Sequence, residues 1–496
     1  QKNMMFPIHT AWLAFVVSGF MIVSSTQHEL DSRNLLRGTP KVIAEFMPDY
    51  VPDDGPDDVP EDILDIVPNI SRTMNEACTL AGVNIEYENT PSNFTWHCSL
   101  DPDDAGGIIG IMVQIEGFDL NENSVDSCGN PLVSGESTIF AIGVMIVDNV
   151  RLVIPVDADL SFGRVHRRKR RRLATTVGDK PIMVVRVIGT DVATTNSAAE
   201  LSDSVFGTSG DEVNLKSQYG ACSYNKLNVI PGAQPESASL PVVDGVVEVT
   251  IPMAVNGASD ADVRNAVTTE LQNQGFSRPG RFHHIMYCLP PGTSGGGWIA
   301  YAYVNHWLSI YNDVWCTFPS AQMHEIGHNL NMGHSGDESQ EYGDRSGAMG
   351  YSYGEDETPK MCFNGAKSWQ LQWYNDRHAT VDPLTSCWTG DLVGIADYAN
   401  SAGKTVILKA NTNTDTDYYM NFNRKSGINA GTKEGSNKVL ITEQTGEGDS
   451  WGKSVSLAQL ETGQSYTINN YDSSGQTVTV TVDEINTSAS PPFASI

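Results

Sequence analysis

Gln322-Met323-His324-Glu325-Ile326-Gly327-His328-Asn329-Leu330-Asn331-Met332-Gly333-His334-Ser335 is the stretch around which the rest of the chain falls into place. Residues four apart on an α-helix stand one turn above each other, so His324 and His328 present two imidazoles toward a common point. That spacing suits one metal ion, with Glu325 placed to act on a water at the metal. His334 comes six residues after His328 and reaches the same ion only if the helix ends and the chain doubles back after Leu330. Asn331 and Gly333 tolerate a left-handed backbone and supply the means. Three neutral nitrogen ligands, His324, His328 and His334, leave a fourth position open, as in a catalytic zinc site rather than a structural one. The competing reading is a surface helix that merely happens to be rich in histidine. The two-histidine motif arises by chance in about one chain of this length in fifty, and the third histidine makes it roughly fortyfold rarer.

Downstream, Ser346-Gly347-Ala348-Met349-Gly350-Tyr351 is a turn of small residues carrying a methionine. It resembles the Met-turn of the metzincin metalloproteases. The family pattern has Gly where this chain has Asn331, and Asn is the best non-Gly residue for that backbone shape. Gln322, Asn331 and Ser335 resemble the gametolysin family, as does the segment from Cys362 to Tyr374, which is similar to a helix those enzymes carry after the Met-turn. The resemblance runs roughly from Pro181 to the C-terminus and is most specific between Gln322 and Tyr374. It implies a zinc endopeptidase in which Glu325 takes a proton from water and passes it to the leaving amine. Met349 is expected beneath the metal as an apolar floor. Tyr351 matches a tyrosine that some metzincins use to bind metal or steady the oxyanion. His283, His284, His306 and His378 read as core or surface histidines, because the three-ligand set is already complete. One Zn²⁺ is implied; Ca²⁺ stays open as a second ion without a clear motif to call for it.

The 496 residues leave room for two or three domains, and 60 Asp+Glu against 31 Lys+Arg give a net charge of −29. Such acidity argues against nucleic-acid binding and against general affinity for anionic membranes. Lys2, the apolar run from Ala11 to Val23, and the small residues that follow read as a secretory signal peptide rather than a membrane span, for which the run is too short. Eight cysteines and the sequons at Asn69, Asn93 and Asn486 agree with secretion. The basic hexamer Arg167-Arg168-Lys169-Arg170-Arg171-Arg172 reads as a convertase cleavage site, with Leu173 as the new terminus, in preference to a nuclear-localisation or nucleic-acid patch. Ahead of it, Cys128-Gly129-Asn130-Pro131 resembles the thiol switch that silences other metzincin precursors. A thiolate there would take the open metal position; a disulfide is the blander role for Cys128.

The expected organisation is multidomain: a signal peptide (1–25), a pro-region (26–172) with an acidic linker followed by a β-rich domain, an α+β metzincin catalytic domain (173–388), and a C-terminal β-sandwich-like domain (389–496). In the pro-region, Gly107–Val113 and Ile139–Val150 are the clearest strands. In the catalytic part, strands are expected at Ile182–Ile188, Val243–Ile251, Arg281–Leu289 and Trp298–Val304. Helices are expected at Ser197–Phe206, Asp211–Tyr219, Asp260–Gln274 with Ser259 as N-cap, from Pro319 through the histidines, and near Asn364–Trp373. Beyond Thr389, strands are expected at Thr405–Leu408, Tyr418–Phe422, Lys438–Thr442, Ser465–Ile468 and Thr477–Val482. The function expected is that of a secreted endopeptidase made as a zymogen. Its partners would be a processing convertase and an extracellular or cell-wall glycoprotein substrate, with no nucleic acid and no stable membrane insertion. The alternative is a matrix or adhesion protein whose β-domain binds a glycoprotein or carbohydrate, with the protease part as scaffold; the intact Glu325 argues against it.

Overall fold

The long strand Gly178–Ile188 is the spine of the central sheet. Its apolar run suits a strand covered on both faces, and Ile182, Met183, Val184, Val185 and Val187 are all fully buried. Leu227–Pro231 pairs parallel to its first half, Val246–Thr250 parallel to its second, and His284–Leu289 parallel along the opposite edge. Leu308–Asn312 continues the parallel order, and Ala300–Ala302 closes the sheet as an antiparallel edge strand. This computed structural model describes residues 72–87, 92–101, 110–147, 150–156, 158–165, 176–276, 280–350, 360–446 and 452–496. The signal peptide, the acidic linker, the basic hexamer, the Asn69 sequon and Tyr351 lie outside the described residues.

Side chains alternate across the central sheet, so its two faces build two cores. Ile182, Val184 and Val246 join Phe206, Leu215 and Tyr219 from the helices Ala198–Phe206 and Leu215–Ser223, and that core carries Met323, Ile326 and Met349. Met183, Val185 and Val247 face the helix Asp260–Asn273 through Val263, Val267 and Leu271. The N-caps are Ser197, Asn214 and Ser259, each accepting a backbone N–H from three residues on. The second helix starts at Leu215, later than its sequence pattern suggests, because Asn214 is the residue that caps it.

Residues 72–164 supply an eight-stranded sheet in which Cys78–Ile85 lies between Asn93–Ser99 and Ser137–Ala141. A disulfide joins Cys78 to Cys98. The run from Ile139 to Val150 is not one strand: Gly143 at φ 82° turns it, separating Ser137–Ala141 from Met145–Val147. Of the other expected pro-region strand, residues 107–109 lie outside the described residues, and Met112–Glu116 forms the strand.

All five expected C-terminal strands are present, with ends shifted by up to three residues, and Asp391–Leu392, Ser454–Leu460, Glu484–Asn486 and Phe493–Ser495 are additions. They do not stand apart from the catalytic part. The six-stranded sheet begins with Ser335–Asp337, directly after the third histidine, paired to Ser454–Ser456, and ends with His378–Val381. The composition change near Thr389 therefore does not mark a sheet boundary, and residues 67–496 form one compact unit. Among the described residues no helix is long and apolar enough to cross a membrane.

Candidate metal centre

The helix Pro319–Asn329 opens with proline at its first turn, where the missing N–H costs nothing. Every one of its residues is buried, so it shows no polar face to water, and the amides of Gln322 and Asn329 donate inward. Gln322 Nε2 donates to Cys316 O at 2.7 Å, and Asn329 Nδ2 donates to Tyr303 O and Leu308 O at 3.0 Å each. The helix then ends as its sequence requires. Asn331 takes a left-handed φ of 73°, its N–H bonds His328 O at 2.8 Å, and Met332 N–H bonds Gly327 O at 3.1 Å. Gly333 needs no positive φ; its role is close approach, since a Cβ there would meet Gly452 O at 3.2 Å.

This turn brings the three histidines together. His328 Nε2 and His334 Nε2 are 3.1 Å apart, and the ring of His324 lies 4.8 Å from that of His328 and 5.3 Å from that of His334, centroid to centroid. Each Nδ1 is tied up as a donor: His324 to Ala348 O at 2.9 Å, His328 to Met332 O at 2.8 Å, His334 to Glu341 Oε1 at 2.7 Å. Each Nε2 is thereby left as the acceptor nitrogen, the tautomer a metal requires. A tetrahedral dication with nitrogen ligands at about 2.05 Å sets its donors ~3.3 Å apart, so the observed 3.1 Å fits. The chemistry of the set, three imidazoles with oriented second nitrogens, fits as well.

Glu325 is fully buried, and neither of its carboxylate oxygens has a hydrogen-bond partner among the described residues. Burial, then the neighbouring charge of Glu86, pushes its pKa well above the usual carboxylate range. A buried carboxylate with open lone pairs is placed to receive a proton from a water at the metal. Burial, then the other two histidines, lowers the pKa of His328 and favours its neutral, ligating form. Beneath the set, Met349 is fully buried, and a Cβ on Gly327 would lie 2.6 Å from its sulfur. Ser335 N–H bonds Met349 O and Ala348 N–H bonds Cys362 O, fixing the turn to the residue after His334 and to the segment before the helix Gly365–Leu371. Asn364 locks that segment, its Nδ2 reaching Asp344 Oδ2 at 2.7 Å, Ser454 Oγ at 3.0 Å and Ser335 Oγ at 3.2 Å.

Three neighbours of the site carry no sequence motif. Glu86 Oε1 lies 2.8 Å from His324 Nε2 and 3.5 Å from His334 Nε2, and the four residues' ligand atoms all fall within 4.8 Å of one another. Tyr342 packs its ring 4.2 Å from that of His334, and its hydroxyl lies 3.4 Å from Glu86 Oε1. Glu341 orients His334. Cys128, by contrast, is exposed and unpaired, in a loop where its N–H bonds Asp126 Oδ1. It is neither disulfide-bonded nor part of the histidine cluster, which is where the thiol-switch reading would put it. His283, His284, His306 and His378 also lie outside the cluster; burial lowers the pKa of both His284 and His306 and favours their neutral forms.

A family model described as gametolysin peptidase M11 matches residues 182–454, more than half of the chain and the whole of the site built by the helix, the turn and Met349. The match starts one residue after Pro181 and stops at Ser454, short of the C-terminal hairpin and the final strands. Searches among curated proteins and among solved structures returned no match. The length of the matched span, with three converging histidines and a methionine turn inside it, establishes that the chain belongs to the gametolysin peptidase M11 family.

Proposed function

We propose that the protein is a secreted zinc endopeptidase made as a zymogen, with His324, His328 and His334 as zinc ligands and Glu325 as general base and acid. One observation carries the reading: three oriented Nε2 atoms converge next to a buried carboxylate whose oxygens have no other hydrogen-bond partner among the described residues. Zinc held there would supply Lewis-acid polarisation of the scissile carbonyl and a bound water with a pKa near 7. Glu325 takes the proton from the attacking water at its carboxylate and gives it to the leaving amine. Ala348, Met332 and Glu341 hold the imidazoles in place, and Met349 keeps the floor of the site apolar. Tyr351 is assigned to steadying the oxyanion, on its position two residues after Met349. The disulfides Cys78–Cys98, Cys222–Cys362 and Cys288–Cys316 support folding in an oxidising compartment. The substrates we assign are extracellular or cell-wall glycoproteins, and a convertase cut after Arg172 releases the mature chain.

The test is Glu325→Ala in the processed enzyme. Metal analysis should still find one zinc per chain, while casein hydrolysis falls by about 10²–10⁴-fold or more, because binding and proton transfer belong to different residues. Chelator should abolish wild-type activity. An active Glu325→Ala enzyme, or a wild type that cleaves casein without metal, sinks the assignment.

A further inference from the structure

Residues 82–87 of the pro-region lie along the free edge of the central sheet. Val304 N–H bonds Gly82 O at 3.0 Å, Ile299 N–H bonds Glu86 O at 2.8 Å, and Glu86 N–H bonds Ala300 O at 3.1 Å. Antiparallel bridges at Val83–Tyr303 and Tyr87–Trp298 complete the pairing. The pro-region thus adds a strand beside Ala300–Ala302, covering backbone groups that an edge would otherwise leave open. Alternation then decides where the side chains go. Ala81, Val83, Ile85 and Tyr87 pack into the core behind the sheet. Asn84 and Glu86 take the other side, with Asn84 Nδ2 3.5 Å from His334 Nδ1 and Glu86 against His324.

Resting on the zymogen reading above, we propose that Glu86 is the fourth metal ligand of the uncleaved chain, so that latency is held by a carboxylate on an added strand rather than by the Cys128 thiol. Glu86 is only 3% exposed. A carboxylate buried to that degree beside three imidazoles is suited to neutralising a dication held among them. Its Oε1 lies 2.8 Å from His324 Nε2 and 3.5 Å from His334 Nε2, bracketing the ~3.3 Å that separates donors around one tetrahedral dication. The pro-region is fastened around this point. Ser92 Oγ donates to Glu341 Oε2 at 2.8 Å, and Lys453 Nζ bridges Glu122 and Glu341 at 2.8 and 2.7 Å. On the far side, Arg264 Nη2 donates to Met112 O at 2.9 Å. Activation is a ligand exchange: the Glu86 carboxylate leaves with its strand, a neutral water enters the vacated position, and the edge of Ala300–Ala302 is freed at the same moment. Cutting the basic hexamer is then necessary but not sufficient, because nothing reaches the metal until the strand peels away.

The experiment uses the full chain with Arg170, Arg171 and Arg172 replaced by Ala so that it stays uncut, loaded with cobalt(II), whose visible bands report the ligand set. In this background Glu86→Gln should change the bands and bind acetohydroxamate at least tenfold more tightly than the uncut chain with Glu86 intact. Cys128→Ser should alter neither. A second measurement needs no change at Glu86. The bands of the uncut chain should stay constant with pH, whereas those of the processed enzyme titrate near pH ~7 as bound water ionises. Unchanged bands in Glu86→Gln, a Cys128→Ser spectrum that does change, or an uncut chain that titrates like the processed enzyme would each overturn the proposal. If the processed enzyme is active and metal-loaded when that happens, only the Glu86 assignment fails. If it holds no metal, the metalloprotease reading fails first.

Discussion

Gly327 lies between His324 and His328 on the helix, and its lack of a side chain is what lets Met349 pack against it. Replacing it with Ala sets two effects against each other. Ala gains about 0.5–1 kcal/mol over Gly inside a helix. The added Cβ would sit 2.6 Å from Met349 Sδ and 3.0 Å from Met332 Cε. Both methionines are fully buried, so neither can swing into solvent, and overpacking of this kind costs about 1–3 kcal/mol. The net expectation is a loss of up to about 2.5 kcal/mol, read as a lower urea midpoint. The metal should feel it too, because displacing Met349 drags Ala348, whose carbonyl orients His324 at 2.9 Å. Loss of such an orienting contact lowers metal affinity by about 10–100-fold, measurable by competition with a chromophoric chelator. A double-mutant cycle isolates the contact. Once Met349→Ala has removed the obstacle, Gly327→Ala should become neutral or stabilising by up to about 1 kcal/mol. A Gly327→Ala enzyme that is more stable than wild type and holds zinc as tightly would refute the packing argument.

Two further outcomes follow from burial and from chain connectivity. Burial lowers the pKa of His306 to about 3 from an ordinary 6.5. Between those values the unfolded chain binds the proton and the folded one does not, so stability falls as pH drops; the loss from pH ~7.5 to ~5.5 is about 1 kcal/mol. His306→Asn keeps an acceptor for the Leu308 N–H, which His306 Nδ1 accepts at 3.3 Å, and should remove that part of the slope in urea melts at the two pH values; an unchanged slope would refute it. The Cys222–Cys362 disulfide closes a loop of sequence separation 140 and ties the helix Leu215–Ser223 to the residue whose carbonyl anchors the methionine turn. Replacing both cysteines by Ala should lower stability by up to about 5 kcal/mol on the chain-entropy argument and weaken zinc binding in the chelator competition; intact zinc affinity would mean that the disulfide does not position the turn.

The site was legible where chemistry fixes spacing. His324 and His328 need an i, i+4 helix, His334 needs a reversal, and Asn331 gives one at φ 73°. Those constraints are local, so a single stretch of sequence states them. Helix caps were legible for the same reason: Ser197 and Ser259 act within three residues of themselves. Strand content after Thr389 was legible from β-branched composition, but the sheet's membership was not. Ser335–Asp337 and His378–Val381 join it through partners up to 119 residues away, and nothing in a three- or four-residue strand names its partner. The single run read from Ile139 to Val150 failed because Gly143 can turn a strand as readily as sit in it.

Glu86 marks the deeper limit. In Val83-Asn84-Ile85-Glu86-Tyr87 the alternation of apolar and polar residues announces a half-buried strand, and the apolar half does go into a core. The usual inference gives the polar half to water. Here it faces a buried histidine cluster, because the strand is shared between two sheets and both of its sides are covered. Cys-Gly-x-Pro at Cys128 is a recognisable string, and a lone glutamate is not. Yet what a fourth ligand requires is an oxygen, nitrogen or sulfur donor at the right point in space, and a strand added to the edge beside the helix delivers one whatever its flanking sequence. Motifs record chemistry that is local in the chain. A ligand brought in trans to the motif, by pairing of backbone with backbone, leaves its signature only in the register of the sheet.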